Sequence, residues 1–167
     1  QSPDGERLSW EIEIPSDYVD WVDMLQLLEE QYAQIGVEVI PQGVSYETWL
    51  ETRNNGNFDL TIAIVGIGIT PYDLFEFMVS SEHAPGEDGS VAANFGRYYS
   101  DDADEHLARF ARTDDADEQQ AALDDLQHLM VEELPVIPLI QGANWFNYNT
   151  ENWTGFPDED DPYARGA

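Results

Sequence analysis

Leu8-Ser9-Trp10-Glu11-Ile12-Glu13-Ile14 sets apolar Leu8, Trp10, Ile12 and Ile14 against polar neighbours, the two-residue period of a strand with one buried face. Downstream the period changes. Trp21, Leu25, Leu28, Tyr32 and Ile35 recur every three or four residues, which predicts a helix with one apolar stripe, capped by Ser16 or Asp17 and stopped by Gly36. Val37-Glu38-Val39-Ile40 is then a second strand that Pro41 closes. A helix between two strands makes them parallel, with a right-handed crossover. Ser45 caps a short second helix carrying Trp49 and Leu50, and Asn54-Asn55-Gly56 ends it. The almost continuous apolar run Phe58 to Val65 predicts a third strand, central and covered on both faces. The order is βαβαβ, the core of an α/β fold.

Gly66-Ile67-Gly68-Ile69-Thr70-Pro71-Tyr72-Asp73 leaves the carboxyl end of that third strand, where ligands of α/β folds collect. Leu74, Phe75, Phe77 and Met78 predict a helix reaching about Ser80, and Ser81 to Arg97 reads as a long irregular loop. Ser100 caps a helix over Asp101–Arg112. Another runs from about Asp115 to Glu133, with Leu123, Leu126, Leu129 and Met130 on its inner face. Val136 to Ile140 reads as a further short strand, and Gln141 to Ala167 carries no period. The longest apolar stretch, Leu60 to Ile69, is well short of the roughly 20 residues that span a bilayer. Gln1 to Glu6 has neither a basic nor an apolar leader region, so a secretion signal is expected upstream or already removed.

The chain has 167 residues, 35 acidic against 6 basic, for a formal charge of −29. That length buries a core without staples, and one compact domain is expected. The charge repels phosphate backbones and excludes nucleic acid as a partner. All six basic residues are Arg, with no Lys and no Cys. Carboxylates hold water strongly and tolerate their mutual repulsion once molar salt cuts the screening length to about 3 Å, so the surface reads as halophilic. Without Cys there is no disulfide scaffold, thiolate metal site or thiol nucleophile.

His83, His106 and His128 are scattered and read as surface residues, so no metal is expected. There is no Gly-x-Ser-x-Gly elbow, Gly66-x-Gly68 lacks the third glycine of a dinucleotide loop, and a phosphate-loop Lys is absent. No cofactor and no catalytic residue is assigned. Asp158 to Asp161 lack the spacing of a calcium loop and read as a solvated acidic tail. Asn152-Trp153-Thr154 fits a glycosylation acceptor, a short pattern that arises often by chance. What remains is aromatic and amide residues in loops: Tyr46 and Trp49, Tyr72, Asn94-Phe95-Gly96-Arg97-Tyr98-Tyr99, and Asn144-Trp145-Phe146-Asn147-Tyr148. Flat rings beside amide donors suit a sugar face or a peptide side chain.

Four stretches, in this order and separated by the expected helices, resemble the C-terminal portion of the family 5 extracellular solute-binding proteins, the dipeptide and oligopeptide type of ABC-importer receptor. They are Leu28 to Val39, Trp49 to Leu60, Leu134-Pro135-Val136-Ile137-Pro138-Leu139 and Gly155-Phe156-Pro157. The resemblance implies a type II periplasmic-binding-protein fold. Residues 1–167 would be its C-terminal lobe, with about 136–167 returning toward an N-terminal lobe outside this chain. It further implies an extracellular, cell-surface or periplasm-equivalent location with a lipid anchor upstream, and a membrane permease as partner. Peptide-binding members place an aromatic near Tyr46, an Arg at Arg53, ligand-touching backbone at Gly66, and an Asp just after the third strand to pair with the peptide amine. This chain has Gly68 there, unless Asp73 reaches the same place. The segments at 66–72, 94–98 and 155–163 look more like the oligosaccharide-binding branch.

The expected function is therefore capture of a peptide or oligosaccharide by lobe closure, without catalysis. Tyr46, Trp49, Tyr72 and Trp145 would stack or shape the pocket, Arg53, Thr70, Asp73 and Asn94 would supply hydrogen bonds, and Gly66 and Gly68 would line it with backbone. The rival is a carboxylate-dependent glycoside hydrolase, which needs one acid in an apolar pocket and one ionised partner. The charge reading makes its own prediction: raising NaCl from about 0.1 to 3 M should raise the melting temperature by roughly 10 °C or more, followed by circular dichroism. An unchanged or falling midpoint would contradict it.

Overall fold

In this computed structural model the described residues are 8–65, 68, 70–83, 85, 89–141 and 148–156. They fall in two compact units divided between Val136 and Ile137. The first is built on strand β1 (Leu8–Pro15), helix α1 (Val19–Gln34), strand β2 (Val37–Val44), helix α2 (Tyr46–Asn55) and strand β3 (Leu60–Thr61). β1 pairs in parallel with both neighbours, giving the order β2-β1-β3, with Ile12 opposite Pro41 on one side and Leu60 on the other. The βαβαβ order read from the sequence is the observed one. Ile12 and Ile14 are buried and Glu13 between them is not, while Trp10, expected on the same inward face, is exposed.

Helix α1 starts one or two residues later than expected. Tyr18, not Ser16 or Asp17, is its N-cap, because the Ser16 N–H is taken by the Val44 carbonyl and the Tyr18 N–H closes a turn on Pro15. Trp21 and Leu25 are buried, while Ile35, placed at the end of the expected stripe, is exposed. β2 runs through Pro41 instead of ending at it. β2 is an edge strand of the described sheet, where a residue without an N–H is tolerated. The expected third strand, 58–65, shrinks to Leu60–Thr61 at the other edge: Ile62 is buried, but Ile64 is exposed. One core cluster gathers Ile12, Ile14, Trp21, Leu25, Val37, Val39, Trp49 and Ile62.

Helices α3 (Pro71–Val79), α4 (Asp101–Arg112) and α5 (Ala116–Glu133) build a second cluster around Val79, Leu107, Leu126 and Met130. Ser100 and Asp115 cap α4 and α5 as their sequences demand, each side chain accepting backbone N–H groups of the first turn. Between α3 and α4 lies a 3₁₀ turn, Ser81–His83, followed by irregular chain. Val136–Ile140 is not a strand among the described residues. In the second unit Tyr148 stacks on Phe156, with centroids 4.4 Å apart, and the Glu151 N–H closes a turn on Asn149 Oδ1 at 3.0 Å.

Leu126 has no exposed surface, whereas Val131 on the same helix is 74% exposed. Leu126→Ala should therefore cost about 2–5 kcal/mol in urea unfolding, and Val131→Ala less than about 0.5 kcal/mol. Equal losses would contradict the assigned inner face of α5.

Candidate functional site

Ser45 starts α2 by accepting the Thr48 N–H at 3.2 Å, and this phase puts Tyr46, Trp49 and Arg53 on one helix face. The three lie at different depths. Trp49 is 3% exposed, edge-on to Trp21 at 5.7 Å, and its Nε1–H donates to Thr61 Oγ1 at 2.9 Å, which in turn donates to the Glu13 carbonyl. It is a core residue, a correction to its reading as a pocket wall: a ring this size on the inner face of a short helix is needed to fill the space over the sheet. Tyr46 is exposed and lies 5.5 Å from Trp49 and 6.1 Å from Tyr18.

Arg53 caps this aromatic step. Its Cζ lies 4.3 Å from the Trp49 ring centroid and 4.1 Å from that of Phe95, so the guanidinium is packed against two rings. Nε and Nη2 donate to Asn54 Oδ1 at 3.1 and 2.9 Å. Among the described residues no carboxylate pairs with Arg53, in a chain with 35 acids. Burial lowers its pKa from the ordinary Arg value and the Tyr46 phenol opposes that, but a guanidinium stays charged at any working pH. A planar cation packed against rings offers its edge, which suits a ligand hydroxyl, carbonyl or carboxylate.

The second group of sequence candidates sits at the start of α3. The Asp73 carboxylate accepts the Thr70 N–H at 2.7 Å and the Thr70 hydroxyl at 3.0 Å, closing the first turn on itself. Both residues thus have a capping role that the sequence reading gave to a ligand. Gly68 packs so closely on Asp73 that a Cβ there would overlap the Asp73 Cβ. Tyr72 stacks on Phe110 at 4.6 Å within the helical cluster, and burial raises the pKa of its phenol. Its ring face is already occupied.

Asn94 is 2% exposed, at φ +44°. Its Nδ2 donates to the Ser80 and Tyr98 carbonyls at 3.1 and 2.8 Å, and its Oδ1 accepts the Tyr98 N–H at 2.9 Å. The amide is an internal tie, which corrects its reading as a ligand donor: a buried amide must spend its bonds on the nearest backbone. Gly66 and Trp145 lie outside the described residues. Phe95, singled out in the sequence only as one ring of a loop cluster, and Tyr18, not singled out at all, complete the α2 face. Among the described residues no group of three or more His, Asp or Glu could hold a metal ion. An open depression of about 510 Å³ is lined by Ser81, Tyr99, Ser100, Asp101 and Asp104, but Asp104 is held by the Ser81 N–H and hydroxyl.

Asn94→Ala should cost about 2–4 kcal/mol, since it leaves the Tyr98 N–H and two buried carbonyls without their partner. A loss under about 0.5 kcal/mol by chemical denaturation would contradict the internal role.

No protein-family model matches the chain, and no curated protein matches it. Solved structures do. Two crystal structures of a periplasmic oligopeptide-binding protein of an oligopeptide ABC transporter from Thermotoga maritima, one bound to mannohexaose, match 97% of this chain. Their TM-scores are 0.81 and 0.82 at 27% and 26% identity. The Escherichia coli murein tripeptide-binding protein MppA matches 77% at TM-score 0.63 and 21% identity. NikZ of Campylobacter jejuni, solved with Ni(L-His), matches 79% at 0.67 and 22%. These last two share the fold. The chain spans 30% of the Thermotoga protein's length and 24% and 26% of the other two.

Proposed function

This chain has the architecture of the family 5 extracellular solute-binding proteins, and on that premise we propose that it is the C-terminal lobe of an ABC-importer receptor whose ligand is a neutral oligosaccharide. The observation that carries the choice of ligand is the contact between Gly68 and Asp73. In peptide-binding members an Asp after the third strand would hold the peptide amine, and here even a Cβ at Gly68 has no room. Asp73, the carboxylate packed against Gly68, is committed to the first turn of α3. A sugar needs no such ion pair. The mannohexaose bound to the Thermotoga protein, the neighbour with the higher identity and coverage, supports the same class.

On this reading Tyr46 offers a ring to a sugar face and Arg53 offers its edge to a hydroxyl, with Gly66 and Gly68 as further contacts. The ligand stabilises the closed state through contacts made by both lobes at once. The protein works outside the cell, lipid-anchored, delivers to a membrane permease, comes from a halophile and turns nothing over. A peptide remains the second reading, favoured by the Arg53 cation, which has no carboxylate partner among the described residues and could take a peptide carboxylate.

Calorimetry on the intact gene product at about 1 M NaCl separates these. Saturable binding of mannohexaose without products is expected, weakened tenfold or more by Arg53→Gln, for a bond to a charged group of about 1.5–3 kcal/mol. Tighter binding of a tripeptide would favour the second reading, and release of shorter sugars would favour a glycoside hydrolase.

A further inference from the structure

The last carbonyls of a helix lack intrahelical partners and carry the negative end of its dipole. At the end of α2 the Asn54 carbonyl accepts the Val91 N–H at 2.9 Å and Arg97 Nη2 at 3.2 Å. The same Nη2 donates to the Gly89 carbonyl at 2.7 Å, so one cation ties both ends of the segment 89–97 to the helix terminus. Gly56 admits it. This residue sits at φ +69°, and a Cβ there would overlap the Arg97 guanidinium. Arg97 is itself at φ +51°, and its N–H closes a turn on the Asn94 carbonyl at 2.8 Å. That turn carries Phe95, whose ring lies edge-on to Phe77 at 5.7 Å and over the Arg53 guanidinium at 4.1 Å.

We propose that Arg97 is a positioning residue for Arg53: by locking the turn 94–97 onto the end of α2, it holds the Phe95 ring against the Arg53 guanidinium. The inference rests on the reading of Arg53 as a ligand contact. A long Arg side chain free to sample its rotamers loses that freedom on binding, and a side chain already packed against two rings does not. Phe95 cannot hold its place by contact with Phe77 alone, because the backbone carrying it adopts positive φ on both sides, at Asn94 and Arg97, and such backbone persists only where its surroundings over-determine it. Arg97 supplies that determination toward α2, and Asn94 toward α3, its N–H donating to the Phe77 carbonyl at 2.7 Å.

Six Arg and no Lys make the test direct, because the side-chain N–H spectrum of the full chain holds only six Arg Nε–H signals. R53Q deletes and so assigns the Arg53 signal, which the rings of Trp49 and Phe95 should displace upfield. R97M and F95L should each return it toward the ordinary position while the Arg109 signal, held by Asp125 at 2.6 Å, stays. R97Q, with a shorter amide donor, gives the same shift in smaller measure if R97M fails to fold. An Arg53 signal unmoved in a folded Arg97 variant overturns the proposal, since a helix cap that only stabilises would leave it in place. In the intact gene product R97M should weaken mannohexaose binding about two- to tenfold and add nothing in the R53Q background. Additive losses overturn the positioning role. Absence of mannohexaose binding by the unaltered protein speaks against the oligosaccharide reading, and the spectrum still decides the role of Arg97.

Discussion

The two hydrophobic clusters of the first unit are tied together by one irregular segment, 89–98, and its hydrogen bonds to two helix ends are the constraint on which the candidate site depends. Arg97 and the Val91 N–H reach the final turn of α2, in the sheet cluster. Asn94 reaches the Phe77 and Ser80 carbonyls at the end of α3, in the helical cluster. An irregular stretch normally exposes its backbone to water; here Val91, Ala93 and Asn94 are buried, so those bonds to helix termini take water's place. The Phe95 ring rides on the joint, and with it one of the two rings packed on Arg53.

Arg53 differs from Arg109 in that its surroundings are rings. Arg109 finds Asp125 across α4 and α5, as a cation among 35 acids is expected to do. Arg53 instead has Trp49 and Phe95 against it, with the neutral amide of Asn54 at its side. Contacts of that kind act at short range, where added salt screens them little. The same local economy appears at the start of α3, where Asp73 satisfies the Thr70 N–H and hydroxyl and leaves no space beside Gly68. The α2 face keeps its cation among rings, while the Asp73 carboxylate is spent on its own helix.

Elements whose signals are local were legible in the sequence. Ser45 and Ser100 cap the helices they announce, Asp115, read as the approximate start of α5, is its cap, and Gly56 ends α2, because a cap is a contact within four residues. The βαβαβ order followed from alternation and spacing. What failed depends on partners far along the chain. Phe58 to Val65 is apolar enough for a central strand, yet pairs with β1 only at Leu60 and Thr61. Pro41 looked like a stop and is tolerated because β2 lies at a sheet edge. Whether Trp49 or Asn94 meets solvent or core is a matter of tertiary packing, and no periodicity encodes it. Phe95 was visible as an aromatic in a loop, but its place over Arg53 arises from two positive-φ turns and a distant helix end.

A structure of the full-length protein with a bound oligosaccharide tests the central claim most directly. The account predicts a sugar hydroxyl within about 3.2 Å of the Arg53 guanidinium edge, the Tyr46 ring beside a pyranose face, and Asp73 still bonded to Thr70. A ligand seated away from the α2 face, or an amine drawn onto Asp73 with its cap broken, would contradict it.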